Sequence, residues 1–343
     1  MKQLDALLNP KSVAVIGASA DVNKTSGRPV SYLLKHGFAG AIYPVNPKAS
    51  EIQGLRCYAS IEELPQAPDV GLVLLSAKRS IEAVRSLAKL GCKAAVVLAS
   101  GFAEAGEGGL DLQEELKAAA GSMRILGPNT IGLVNLSARI PLSASGALEI
   151  SDLPTGHVAV VSQSGGILGA LLSRAAGRGI GLSSLISTSN EVDLEVSDFI
   201  DYLVDDDNTQ VIALYLESVR NPQRFREVAL RARAAGKPLV VFKIGRSEAG
   251  ASAASSHTGA LAGEDRVYDA FFRELGVIRA NTFDEFLDIP AVLVAGRRLA
   301  GRRVAILTST GGAGTLIADS LGMNQFDTPV SYTHLTLPTI YSV

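Results

Sequence analysis

The 343-residue chain has no tryptophan, two cysteines, 5% aromatic residues and almost balanced charge. Its 32 basic against 34 acidic residues argue against a nucleic-acid binder, which normally has a basic excess. Cys57 and Cys92 are too few and too far apart for a disulfide framework or a cysteine metal site, so we interpret both as small core residues. Apolar runs such as 94–99 stop far short of the ~18 residues of a membrane helix, and the N-terminus shows no secretory signal. We therefore expect a cytoplasmic protein without nucleic-acid, membrane or metal sites.

The chain is rich in glycine, with 34 residues, and in short runs of alanine and valine. Short aliphatic runs that alternate with amphipathic stretches predict an α/β fold with a parallel sheet. In the first part of the chain the pattern predicts strands at 41–45, 70–75, 94–99 and 124–126, and helices at 78–90 and 110–120.

Three similar segments open with Val13, Val158 and Val304, each an aliphatic strand followed by a tight turn. Their spacings of 145 and 146 residues predict doubly wound domains in series. Only 39 residues follow Val304, fewer than the ~100 usual for a domain, so we expect a truncated third domain. Residues 331–339 match neither pattern, and we expect the tail to be non-native. The predicted parts are 1–148, 149–298, 299–329 for the third opening and 330–343 for the tail.

The first turn lacks the spaced glycines of a dinucleotide fingerprint, because Gly17 is followed by no second or third glycine nearby. The second strand ends in Asn46 and Lys48, where an NAD site would have an acid. A cation at this place suits a phosphorylated ribose, as in coenzyme A or NADP. Lys24 and Arg28 can add phosphate contacts, and a solvated basic loop is the equal alternative.

The second turn carries small residues between a strand and a helix: Ser162, Ser164, Gly165 and Gly166. Free backbone N–H groups at a helix start, with hydroxyls and glycines beside them, suit a phosphate. A serine-hydrolase elbow is a competing interpretation, but Ser162 stands where the G-x-S-x-G pattern needs glycine. The third interpretation of these residues is an ordinary strand-to-helix turn.

Two further side chains are candidates for chemistry. Glu217 ends an apolar strand, and the carboxyl ends of parallel strands are where open α/β sheets bind ligands. His257 lies in a loop of small residues, which can present an imidazole as a nucleophile. Glu217 and His257 beside the helix start would form a phosphohistidine site; a capping carboxylate and an exposed histidine are the alternatives.

Several motifs in this order resemble the NDP-forming acyl-CoA synthetases, typified by ADP-forming acetyl-CoA synthetase, and the related succinyl-CoA synthetase α subunit. The resemblance covers about residues 1–328 and rests on the motifs at 15–19, 45–48, 100–102, 127–129, 162–166, 216–218 and 256–260. It implies a Rossmann-like CoA-binding domain followed by a flavodoxin-like doubly wound ligase domain.

The resemblance also implies a reaction. Acyl-CoA and phosphate give acyl phosphate and CoA, His257 takes the phosphoryl group, and ADP with Mg²⁺ receives it on an ATP-grasp domain or subunit that is absent here. Glu217 would hold the imidazole and the 164–166 helix start the phosphoryl oxygens. The residues implied for CoA are Gly17, Ser19, Lys24, Asn46, Lys48 and Asn129. Expected partners are acyl-CoA or carboxylate, phosphate, the ATP-grasp part and a further copy in an oligomer.

A second function stays open on the sequence. Similar domains are fused to lysine acetyltransferases, where they would act as non-catalytic CoA or acyl-CoA sensors. The presence of His257 argues against this interpretation.

Overall fold

The computed structural model describes residues 2–247, 249–250, 264–296 and 300–329. Contacts divide the chain into two units, Met1–Ala295 and Gly296–Val343. The first part of the larger unit contains, in chain order, α1 (Lys2–Leu8), β1 (Ser12–Ile16), α2 (Arg28–Lys35), β2 (Ala41–Val45), β3 (Glu51–Ile52), β4 (Leu55–Arg56), β5 (Val70–Val73), α3 (Ala77–Leu90), β6 (Ala94–Val97), α4 (Glu107–Ala120) and β7 (Arg124–Leu126). The strands predicted at 41–45, 70–75, 94–99 and 124–126 are present, and both predicted helices are confirmed with slightly earlier starts.

The first sheet is wholly parallel and has the order β2-β1-β5-β6-β7. All five residues of β1 are buried. Val13 and Val15 pack in one core cluster and Ala14 and Ile16 in another, because successive side chains of a strand point to opposite faces. Burial on both faces is typical of a parallel sheet covered by helices. The order has its switch point at the carboxyl end of β1.

The remaining elements of the larger unit are β8 (Gly132–Asn135), β9 (Ile140–Ser143), β10 (Thr155–Ser162), α5 (Ile167–Gly177), β11 (Leu182–Ser187), α6 (Val196–Val204), β12 (Val211–Leu216), α7 (Pro222–Ala234), β13 (Leu239–Lys243), α8 (Asp265–Leu275), β14 (Ile278–Arg279) and α9 (Phe283–Val294). The second sheet has the order β14-β13-β12-β10-β11-β8-β9. Its five strands from β10 onward are parallel and repeat the order of the first sheet.

An antiparallel hairpin extends this second sheet. β8 pairs with β11, with Leu133 opposite Ile186, and β9 pairs with β8. The hairpin precedes the boundary predicted at 148–149 yet belongs to the second sheet. The hairpin joins this sheet through its pairing with β11, because a strand is stabilised by its hydrogen-bonded neighbour rather than by its place in the chain.

The smaller unit differs from the sequence expectation. In residues 300–329 the run Val304–Leu307 forms no strand; the pairing is a single isolated bridge between Arg303 and Asp327. Leu307 is 87% exposed, so this run has no neighbouring strand against which to bury its side chains. The helix that follows does form, as α10 (Gly311–Met323). The prediction of a strand at Val304 was therefore wrong, and the tail 330–343 lies outside the described residues.

Two predictions, on the cysteines and on membrane helices, can be compared with the structure of the described residues. Cys57 and Cys92 are buried and unpaired, which confirms their interpretation as core residues. No helix in the described part of the chain is long and apolar enough to cross a membrane.

Candidate functional site

The turn after β10 connects the central strand of the second sheet to α5. The Ser162 hydroxyl donates to the Ser164 carbonyl oxygen at 2.9 Å, and the Ser164 N–H donates to the Ser162 hydroxyl oxygen at 3.1 Å. Gly166 is the N-cap of α5, and no side chain caps the helix there. Of the first N–H groups of α5, that of Leu168 donates to the Gly165 carbonyl at 3.4 Å. A helix start without a side-chain cap can also stabilise negative charge in front of it.

The two glycines of this turn are not required by packing. A Cβ added to Gly166 would have no atom within 4 Å. One added to Gly165 would meet the Ile131 nitrogen at 3.4 Å, an ordinary contact. A larger side chain would instead occupy the space in front of the helix start, where an anion would approach the backbone. This geometry fits the predicted phosphate turn.

A cavity of about 220 Å³ lies at this helix start. Its walls are Asn129, Gln163, Ser164, Gly165, Gly166, Ser189, Asn190 and Arg220. It therefore brings Asn129, predicted for CoA, next to three of the four residues predicted for phosphate. Ser162 does not line the cavity and shapes the turn instead. Asn129 has φ +61° and donates its side-chain amide to Asn190 Oδ1 at 3.4 Å.

Glu217 follows the last residue of β12 and is 5% exposed. Its backbone N–H and that of Ser218 donate to Gln163 Oε1, at 2.7 and 3.0 Å. Gln163 therefore connects the phosphate turn to the predicted catalytic carboxylate. His257 lies in 251–263, outside the described residues, so its role stays a prediction.

Gln163 also donates to a buried carboxylate, Glu191, at 3.1 Å. Glu191 has φ +54° and accepts further hydrogen bonds from the Thr188 hydroxyl at 2.8 Å and from Arg220 Nε at 2.9 Å. Burial raises the pKa of the Glu191 carboxyl to about 7, while Arg220, Thr188 and Gln163 oppose that rise by stabilising the charged form.

Five of the six residues predicted for CoA, all but Asn129, follow the carboxyl ends of β1 and β2. Gly17 has φ +84° and lines a cavity of about 300 Å³. Asn46 donates its side-chain amide to the Ala18 carbonyl at 2.8 Å, and its Oδ1 accepts from the Lys48 N–H at 2.9 Å. This amide thus fixes the two turns against each other.

Three other residues predicted for CoA have polar or exposed side chains here. Ser19 accepts a hydrogen bond from the Asp21 N–H at 3.2 Å. Lys24 is exposed and lies 3.9 Å from Asp21, and Lys48 is exposed as well. None of Ser19, Lys24, Asn46 and Lys48 lines the Gly17 cavity. These four residues and Gly17 follow the carboxyl ends of β1 and β2, whereas Asn129 lies beside the turn after β10.

Sequence reasoning missed five residues at the cavity and beside it: Gln163, Ser189, Asn190, Glu191 and Arg220. The positions of some of these residues could have indicated them. Residues 188–191 follow β11 and Arg220 follows β12, and the carboxyl ends of strands are where such sheets bind ligands. Among the described residues no group of His, Cys, Asp or Glu side chains could hold a metal ion.

Two known family models match successive parts of the chain. Residues 11–135 match the model of a CoA binding domain, and residues 155–293 match that of a succinyl-CoA ligase like flavodoxin domain. The fold and the cavity therefore define a protein that joins a Rossmann-like CoA-binding domain to a flavodoxin-like ligase domain, as predicted.

Curated relatives narrow this class. The chain is 38% identical over 333 residues to the α subunit of the ADP-forming acetate–CoA ligase I of Pyrococcus furiosus, covering 94% of this chain and 71% of the relative. It is 40% identical over 329 residues to a trans-feruloyl-CoA synthase of an unknown prokaryotic organism, covering 94% of this chain and 46% of that protein. The chain thus spans less than half of the synthase.

A solved structure agrees with these relatives. The dinucleotide-forming acetyl-coenzyme A synthetase 1 of Ca. Korarchaeum cryptofilum, in complex with phosphate and ADP, superposes with a TM-score of 0.90 at 34% identity. The match covers 99% of this chain and 74% of that one. The chain belongs to the ADP-forming acetate–CoA ligase family and corresponds to its α-subunit portion.

Proposed function

We propose that this chain is the CoA-binding and phosphoryl-transfer part of an ADP-forming acyl-CoA synthetase. The observation that carries the proposal is the cavity where Asn129 meets the uncapped start of α5. Gln163 ties this cavity to Glu217 through two hydrogen bonds. The named activities of the relatives, acetate–CoA and feruloyl-CoA ligation, support the reaction class.

The proposed reaction begins with acyl-CoA and inorganic phosphate. A phosphate oxygen attacks the thioester carbonyl, the carbon–sulfur bond breaks, and acyl phosphate and CoA form. A nitrogen of His257 then attacks the phosphorus, and the carboxylate leaves. The phosphoryl group finally passes to ADP, bound with Mg²⁺ on an ATP-grasp domain or subunit outside this chain.

Each side chain in the proposal has a physical task. The uncapped N-terminus of α5 and the turn from Ser164 to Gly166 hold phosphoryl oxygens, because a helix N-terminus stabilises negative charge. Glu217 accepts a hydrogen bond from the second ring nitrogen of His257, which fixes the tautomer and stabilises the phosphorylated ring. Gly17, Ser19, Lys24, Asn46 and Lys48 are proposed to bind CoA, as a substrate, at the carboxyl ends of β1 and β2, and Asn129 is proposed to bind it beside the turn after β10.

A labelling experiment tests the proposal. The chain is incubated with acetyl-CoA or feruloyl-CoA and ³²P-phosphate, and released CoA is counted with a thiol reagent. We expect an acid-labile, alkali-stable label that requires acyl-CoA and is lost in His257→Ala. His157→Ala is the matched control, because His157 lies at the exposed start of β10 and its Nδ1 contacts the Asn208 carbonyl at 2.9 Å.

Two results would contradict the proposal. A label that persists in His257→Ala would place the phosphoryl group elsewhere. CoA binding without any label or CoA release, with a range of acyl-CoA thioesters, would favour the non-catalytic sensor instead.

A further inference from the structure

Arg220 lies in the loop between β12 and α7. With Ser164 and Gly165, it lines the 220 Å³ cavity at the start of α5. Its guanidinium is held by two hydrogen bonds. Nε donates to Glu191 Oε2 at 2.9 Å, and Nη2 donates to the Asn190 carbonyl at 2.8 Å. Within the described part of the chain, Nη1 makes no hydrogen bond, and the side chain is 39% exposed.

The carboxylate that holds Arg220 is itself fixed. The Glu191 side chain is 1% exposed. Besides Arg220, it accepts hydrogen bonds from the Thr188 hydroxyl, from Gln163 Nε2 and from the Val196 N–H at 3.2 Å. A cation held by such an anchor loses little conformational freedom when a ligand binds.

The first domain fixes the other side of the same turn. Asn190 donates its side-chain amide to Glu104 Oε2 at 2.5 Å and to Gln113 Oε1 at 3.0 Å. Glu104 in turn accepts from the Gly101 N–H at 2.6 Å. The carbonyl that receives Arg220 Nη2 therefore belongs to a residue bonded to the loop after β6.

Among the described residues that line this cavity, Arg220 is the charged one and the others are neutral. A guanidinium and the uncapped N-terminus of a helix on one small cavity complement the oxygens of a tetrahedral oxyanion. We infer that Arg220 binds the phosphoryl group in this cavity and that Glu191 is the positioning residue that holds the guanidinium there. The inference rests on the proposed function, because it takes phosphate as the ligand of this site.

Equilibrium dialysis of the chain with ³²P-phosphate, without acyl-CoA, tests this directly. We expect Arg220→Ala to weaken phosphate binding by about 10- to 100-fold, the loss of a charge-assisted hydrogen bond. Arg220→Lys should recover part of it, because lysine keeps the charge but loses the planar fork. Arg224→Ala is the matched control: Arg224 pairs with Asp201 at 2.9 Å and does not line the cavity.

The positioning role of Glu191 is tested by a double-mutant cycle. Glu191→Gln removes the negative charge that holds Arg220 and replaces one of the two acceptor oxygens, both of which accept hydrogen bonds, with an NH₂ group. It should therefore weaken phosphate binding although Glu191 does not line the cavity. In the Arg220→Ala background the same change should add nothing. Equal losses in both backgrounds would show a general structural effect and overturn the positioning role. Circular dichroism checks that each variant is folded.

Further arms separate the possible failures. Wild-type chain that binds no phosphate, or an Arg220→Ala variant that binds it normally, overturns the inference. An Arg220→Ala variant that loses affinity for CoA but not for inorganic phosphate also overturns the inference, because the arginine would then bind a phosphate of CoA. Phosphate binding that depends on Arg220, in a chain that takes up no label from acyl-CoA and phosphate, would support the inference and contradict the proposed reaction, so the two failures can be told apart.

Discussion

Gln163→Leu is the sharpest test of the link between the phosphate turn and Glu217. The change removes the acceptor of two buried backbone N–H groups, those of Glu217 and Ser218, and a donor to Glu191. Each buried polar group left unpaired costs about 1–3 kcal/mol, and water entering from the adjacent cavity offsets part of this. We expect the free energy of unfolding to fall by about 2–4 kcal/mol.

The assay is urea unfolding, followed by circular dichroism, with phosphohistidine labelling as a second readout. Label yield should fall by about 10- to 100-fold, because the backbone that carries Glu217 is no longer fixed. Gln66→Leu is the control, since Gln66 is exposed and makes one bond, to the Tyr43 hydroxyl at 3.0 Å; it should cost under about 0.5 kcal/mol. A Gln163→Leu variant as stable as this control would refute the reasoning.

Two further predictions concern backbone strain and pH. Gly17→Ala should lower the free energy of unfolding by about 1–3 kcal/mol, because Gly17 has φ +84° and a Cβ there would lie 2.8 Å from Leu75 Cδ2. Gly37→Ala, at φ +74° in open space, should cost less, and equal urea midpoints would contradict the steric argument. Burial raises the pKa of Glu191 from 4.5 to about 7, so the folded chain binds the extra proton and unfolding free energy should fall by up to about 3 kcal/mol as pH rises across that window. Glu191→Gln should remove this slope in urea titrations; a wild-type-minus-variant difference that is constant with pH would contradict it.

The strands could be predicted where burial is two-sided and the run is short. Val13–Ile16 and Val158–Val161 are aliphatic throughout, and each ends in a turn of small residues. The run at Val304 has the same composition, yet the described residues around it give it no neighbouring strand. Local composition indicates that a segment can form a buried strand. Whether it does so depends on the neighbouring strands that other parts of the chain supply.

The candidate site was predictable in its backbone and less so in its side chains. Small residues from Ser162 to Gly166 indicate a tight turn before a helix, and the structure has that turn. Glu191 gives no such signal, because its role depends on hydrogen bonds to Gln163 and Arg220, which are 28 and 29 residues away. A charged residue with φ +54° in a buried turn cannot be recognised from neighbours in sequence.

The missing information is strand order. The repeat at Val13 and Val158 identifies the first strand of the parallel part of each sheet. In both sheets that strand lies between the next two parallel strands of its own sheet. β2 and β5 flank β1, while β11 and β12 flank β10. The turns after these flanking strands must therefore face the turn after the first strand, across the switch point. In the second sheet these turns hold Glu191 and Arg220, so strand order alone would have singled out the two turns, while the hydrogen bonds among their side chains single out the two residues.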